Sequence, residues 1–148
     1  MRRTINSAGK AIVKLAEGLR LVAYLCPANV WTIGFGSTEG VRKGMKITKE
    51  EAEVLLDKDL ETFERAVEKL VPTSTTANEF SAMVSLAYNI GVANFKGSSV
   101  LRGHLAGNKK GAAASFTLWN KARVKGVLTV LPGLVKRRAE EAKLYLTP

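Results

Sequence analysis

Glu17 is the first residue of this sequence whose setting suits acid chemistry. It ends a segment in which Ala8, Ala11, Ile12 and Leu15 share one helical face, and Gly18 follows it. A carboxylate at the C-terminal end of a helix meets the negative end of the helix dipole, which disfavours its ionised form. Partial burial acts in the same direction, so a raised pKa suited to a general acid is expected. On spacing alone, the commoner reading is a solvated helix-end glutamate. The second group is Cys26, Thr32, Gly34, Gly36 and Ser37. A free cysteine is most often a small buried hydrophobe, although Pro27 and the turn after it favour exposure here. Thr32, within WTIGFG, also reads as an ordinary β-branched strand residue. Glycines in such a strand mark bulges or a backbone that another group approaches closely. GFG lacks the spacing of a phosphate fingerprint.

Other candidates carry less. His104, in LRGHLAGN, reads as a surface helix residue, far in sequence from Cys26. The basic clusters Lys109-Lys110, Lys121-Arg123-Lys125 and Lys136-Arg137-Arg138 read as a solvated face. With Trp119 beside them, polyanion contact is a second reading. The net charge supports that second reading: 23 Lys and Arg against 13 Asp and Glu leave +10. Such a field draws nucleic acid, anionic membrane or an acidic wall polymer without choosing among them. One cysteine excludes an intrachain disulfide, and one histidine excludes a His-rich zinc site. No metal or cofactor is expected. No run approaches the roughly 18 apolar residues of a membrane span. Lys10, Lys14 and Glu17 break every apolar run near the N-terminus, so neither a cleaved export signal nor an apolar anchor is expected.

The elements that must position these residues follow from periodicity and caps. A short helix is expected over 8–16, capped by Asn6 or Ser7. Residues 21–41, rich in β-branched and aromatic side chains and broken by glycines, predict a small antiparallel hairpin or three-stranded sheet. Thr48 and Glu51 form a capping box for a helix over 49–70, which Pro72 stops. Thr76 and Glu79 form another for a nearly all-apolar helix over 77–90, with Gly91 at its C-terminal end. Shorter helices are expected at about 98–106, 109–121 and 133–145, with 121–131 as a basic separator. The fold class is α+β, and a groove between two sublobes follows from that layout. A chain of 148 residues should bury about two-thirds of its surface, enough for one core.

With those residues in view, the chain resembles the phage-type lysozymes of glycoside hydrolase family 24, of the endolysin kind. The resemblance runs through EGLRLVAYLCPANVWTIGFGST, FSAMVSLAYNIGVANFKGSSVLR, AAASFTLWNKA and LPGLVKRRAEEAKLY, in that order, over residues 9–146. The family carries a catalytic Glu, an Asp nine residues on and a Thr six further, positions that fall on Glu17, Cys26 and Thr32. Cys26 thus stands where the family has aspartate, and Ser37 stands where a GxGH pattern would have histidine.

The resemblance implies one lysozyme-like domain over 1–148. A β-rich sublobe would span about 18–47, a linking helix 48–70 and a helical lobe 72–148, with helix one packed on that lobe and the cleft between the sublobes. It implies an inverting muramidase that cuts the β-1,4 bond between N-acetylmuramic acid and N-acetylglucosamine in peptidoglycan, for host cell lysis. Glu17 would protonate the glycosidic oxygen while Cys26 and Thr32 orient water on the opposite sugar face. Cys26 would serve best as a thiolate, and a neighbouring cation could lower its pKa. Ser37 is expected to affect local hydrogen bonding more than chemistry. An arginine near the start of the last helix, Arg137 or Arg138, would steady Glu17. The implied partners are peptidoglycan and, functionally, a holin, with no nucleic acid and no stable membrane insertion, and a monomer is expected. The implied location is the host cytoplasm until the membrane is permeabilised, then the periplasm and wall. Rival readings are a Cys26–His104 wall amidase or peptidase, a non-enzymatic cationic binder, and a transglycosylase on the same fold.

Overall fold

The computed structural model describes residues 2–148; Met1, the first residue of the expected domain, lies outside them. Helix α1, Ser7–Glu17, starts at Asn6, whose side chain accepts from the Gly9 N–H. Strands β1, Arg20–Leu25, and β2, Trp31–Gly34, pair antiparallel around the Cys26–Val30 turn. Residues 45–47 add two backbone hydrogen bonds along the other edge of β1. Helix α2, Lys49–Leu70, and helix α3, Ala77–Ile90, each begin with the expected capping box, on Thr48–Glu51 and Thr76–Glu79. Then follow α4, Val92–Lys96, α5, Ser99–Leu105, and α6, Lys109–Phe116. The chain ends with β3, Lys121–Val124, β4, Val127–Val130, and α7, Pro132–Leu146. The α+β class with a small antiparallel sheet is what the structure shows.

Three sequence readings are corrected. Residues 121–131 do not merely separate helices but form the β3–β4 hairpin. Its turn needs two residues of positive φ, supplied by Lys125 at +51° and Gly126 at +80°. Lysine is an unusual first residue for such a turn, which hid it from the sequence. The helix expected over 109–121 stops at Phe116, and the short α4 was not anticipated. His104 is buried rather than on the surface: its ring nitrogens lie 2.9 Å from Thr75 Oγ1 and 2.6 Å from the Tyr145 hydroxyl.

The core lies in the helical lobe. Helix α3 runs through its centre and buries residues on every side, as its nearly unbroken apolar sequence requires. Leu56, Leu60 and Val67 of α2 meet Phe80, Met83 and Leu86 of α3 in one apolar cluster. Helix α1 packs on α3 and α7. At the crossing with α3, a Cβ on Gly9 would come within 2.8 Å of the Ser81 Cβ, so only glycine permits that approach. The Asn6 N–H donates to Ser81 Oγ at 2.9 Å, and the Ile5 N–H donates to the buried Glu64 at 2.7 Å. These contacts fix where α1 begins and therefore where Glu17 ends it.

Candidate active site

Glu17 is half-buried at the last turn of α1 and faces the loop after β2. A Cβ on Gly36 would lie 3.4 Å from Glu17 Oε1, so the loop backbone reaches the carboxyl directly. Gly36 holds φ at +96°, a conformation that L side chains rarely adopt. Lys14, one turn earlier on α1, sits over the Phe35 ring at 5.6 Å and pairs with Glu53 of α2. The end of α1, the GFG loop and α2 are thereby tied together. Burial pushes the Glu17 carboxyl above its ordinary range, while the nearby Arg137 guanidinium pulls it back in part.

Arg137 and Arg138, between which sequence left the choice, have different surroundings. The charge of Arg137 is the one that bears on the Glu17 carboxyl. It donates to the Ser85 carbonyl at 3.0 Å and to Glu141 Oε2 at 3.2 Å. Arg138 is fully buried and turned inward, donating to Glu141 Oε2 at 3.1 Å and to Asn89 Oδ1 at 2.9 Å. Its Nε lies 2.6 Å from Glu141 Oε1, an ion contact without hydrogen-bond alignment. Glu141 also accepts from the Ser85 hydroxyl at 2.5 Å. A buried carboxylate thus holds two arginines, and one of them reaches the Glu17 side.

Cys26 and Thr32 come together at the far end of the same strand pair. The Cys26–Val30 turn, with Asn29 at φ +61°, brings the backbone around a partly exposed sulfur. Hydrogen bonds from the Val30 and Ala28 backbone lower the thiol pKa, with a smaller contribution from the Thr32 side chain. The Thr32 hydroxyl donates to the Val30 carbonyl at 2.9 Å. Peptide dipoles thus take the place of the expected neighbouring cation. Thr32 and Gly36 are four residues apart on one strand and turn. That keeps the Cys26–Thr32 pair and the Glu17–Gly36 contact within about 14 Å along the chain.

Ser37 is buried, and its hydroxyl donates to Asp59 Oδ2 at 2.6 Å, fastening the loop to α2. Tyr88 lies edge-on to Phe63, which is one turn past Asp59 on α2. Burial raises the Tyr88 hydroxyl pKa, and the charges of Asp59 and Glu17 add to the effect. Sequence reasoning missed Asp59, Tyr88, Ser85 and Glu141. Only Glu141 left a signal, its spacing of three and four residues from Arg138 and Arg137 on one helix. A groove of about 970 Å³ runs between α1 and α7, with Glu17, Asn89 and Arg137 in its wall. Cys26 and Thr32 do not line it, so this groove does not join Glu17 to the sulfur. The Cys26–His104 pairing has no geometric support, because both histidine nitrogens are engaged inside the helical lobe.

The phage lysozyme family model matches residues 14–141, a stretch that contains every residue of this site. This chain belongs to the phage lysozyme family. It is 40% identical over 141 residues to an endolysin of Acyrthosiphon pisum secondary endosymbiont phage 1, covering 95% of this chain and 97% of that protein. It is also 40% identical over 146 residues to an endolysin of Bacillus phage B103, covering 97% of this chain but 54% of that longer protein. Among solved structures, the muramidase domain of SpmX from Asticaccaulis excentricus superposes with a TM-score of 0.92 at 41% identity. That match covers 99% of this chain and 100% of that one.

Proposed function

We propose that this chain is a lysozyme of the endolysin kind, a muramidase that hydrolyses the β-1,4 bond between N-acetylmuramic acid and N-acetylglucosamine in peptidoglycan. The observation that carries the reading is Glu17. In a chain of this family, the carboxyl at that position is half-buried, raised in pKa and seated against the Gly36 backbone. A carboxyl kept protonated in this way can deliver its proton to the glycosidic oxygen as the bond breaks.

Cys26 and Thr32 act from the opposite side. The depressed thiol accepts a hydrogen bond from water as a thiolate, and Thr32 holds that water in place. Negative charge on the sulfur also favours the positive charge that develops at the sugar ring. Water attack from the face opposite the acid gives an inverting hydrolase, with the activity class EC 3.2.1.17. Arg137 is a positioning residue, kept beside Glu17 by Ser85 and Glu141. Ser37 sets the loop through Asp59 and takes no proton in the reaction.

The chain acts as a monomer, waits in the host cytoplasm and reaches the wall once a holin opens the membrane. The experiment is reducing-end release from purified peptidoglycan by the native chain and by Glu17→Gln. Release that disappears in the variant supports the reading, with Cys26 sufficing in the aspartate's place. Absence of release from a folded, wall-bound native chain would make this a binding protein. An anhydro-muramic product in place of a reducing end would make it a transglycosylase.

A further inference from the structure

Charge is segregated along this chain. Between Glu79 and Glu140 there is no acidic residue, while ten lysines and arginines fall in the same stretch. That number equals the whole net charge of +10, so the rest of the chain is balanced. This basic stretch includes the β3–β4 hairpin. It packs chiefly on itself, and only Ala122 and Thr129 are half-buried.

The register places Lys121 opposite Val130 and Arg123 opposite Leu128, with Val124 opposite Val127 at the tip beside Lys125. Lys121, Arg123 and Lys125 are exposed, and so are four aliphatic side chains, Val127 at 65% and Leu128 at 57% among them. Exposed aliphatic residues grouped at the end of such a hairpin, with cations interleaved and no acidic residue in its own sequence, are left uncovered by the described residues.

We propose that the β3–β4 hairpin is a peripheral docking element for a bilayer surface that carries anionic headgroups. The cations pair with lipid phosphates, and the aliphatic tip enters the headgroup–acyl boundary. The residue types favour lipid over saccharide. Sugar faces stack on aromatic rings, and the hairpin has none. A soluble polyanion would use the cations but gives Val127 and Leu128 nothing to bury against. The inference is independent of the hydrolytic reading, because vesicle binding is read without any bond being cut.

The test is co-sedimentation of the full chain with vesicles of phosphatidylcholine alone or mixed with phosphatidylglycerol. The mixed vesicles should bind the chain at least about tenfold more tightly, and added salt should weaken that binding. The double variant Val127→Ser with Leu128→Ser should lose about tenfold on the mixed vesicles. Lys121→Gln with Arg123→Gln should lose a similar factor, and both variants should keep the native melting temperature. Equal binding to both vesicle types would overturn the proposal. So would serine variants that bind mixed vesicles as the native chain does, since cation attraction alone would then suffice. Loss of hydrolysis on lipid-free peptidoglycan in the folded serine variants would also overturn it, by assigning the hairpin to the glycan.

Discussion

Glu141→Gln tests the buried arginine pair most directly. Glutamine keeps the shape of the side chain and one oxygen to accept from Ser85, but removes the charge that compensates Arg137 and Arg138. Arg138 is wholly inside the protein, so its guanidinium cannot turn to water. Removing one partner from a buried ion network costs about 3–5 kcal/mol. For 148 residues the unfolding entropy is about 0.3 kcal/mol/K, so the melting temperature should fall by about 10–16 °C. Circular dichroism against Ser85→Ala is the assay, since that control removes a single hydrogen bond worth about 1 kcal/mol, or about 3 °C. Activity gives a second readout. Arg137 holds the Glu17 pKa down in part, so loosening Arg137 raises it further and moves the pH at which the rising limb of the profile levels off to a higher value. A melting temperature lowered by no more than the Ser85→Ala control, with an unmoved pH profile, would refute the reasoning.

Three further outcomes are expected. Glu17→Gln should lower kcat by about 10²–10⁴-fold and yet raise stability at neutral pH. The sign follows from a carboxyl whose folded pKa is raised: its stabilising contribution is full below the unfolded pKa and is lost as pH rises through the folded one. The difference in melting temperature between variant and native chain should therefore vanish in acid. Gly36→Ala should cost about 1–2 kcal/mol in stability through its positive φ and lower kcat, read by melting and by reducing-end release. Because the thiol titrates above Glu17, the native profile should hold up to the depressed thiol pKa, whereas Cys26→Ser should lose activity as soon as Glu17 ionises, and Cys26→Asp should raise activity below neutral pH. An unchanged profile in Cys26→Ser would dismiss the thiolate.

What the sequence made legible was what short-range contacts decide. Thr48 with Glu51 and Thr76 with Glu79 complete their capping boxes within three residues, so both long helices could be bounded in advance. Glu17 was placed at a helix end for the same reason. Features made by distant partners were not legible. His104 is buried because Thr75 and Tyr145, 29 and 41 positions away, take its two nitrogens. Ser37 meets Asp59 across 22 positions. The choice between Arg137 and Arg138 depends on how α7 is rotated against α3, and Ser85 in the middle of an apolar helix gave no sign that it would anchor one of them.

The replacement of aspartate by Cys26 changes the order in which the two site groups titrate, and the structure acts on that order. In the proposed mechanism the working form needs Glu17 protonated and the opposing group ionised. An aspartate ionises below a raised glutamic acid, so the working form is then the majority species between the two pKa values. A cysteine reverses this. With ordinary values of 4.5 for glutamate and 9.0 for cysteine, the working form would be at most roughly one part in 10⁴ to 10⁵, between those two values, and less outside them. Each unit by which the two values converge enlarges that fraction about tenfold. Burial moves Glu17 upward, and the Ala28 and Val30 backbone moves Cys26 downward, so both shifts run in the productive direction. Environments that shift two site groups separately are how one fold assigns an acid and its counterpart. The same two elements, the end of α1 and the turn after β1, therefore set both the geometry of the site and the fraction of molecules able to use it.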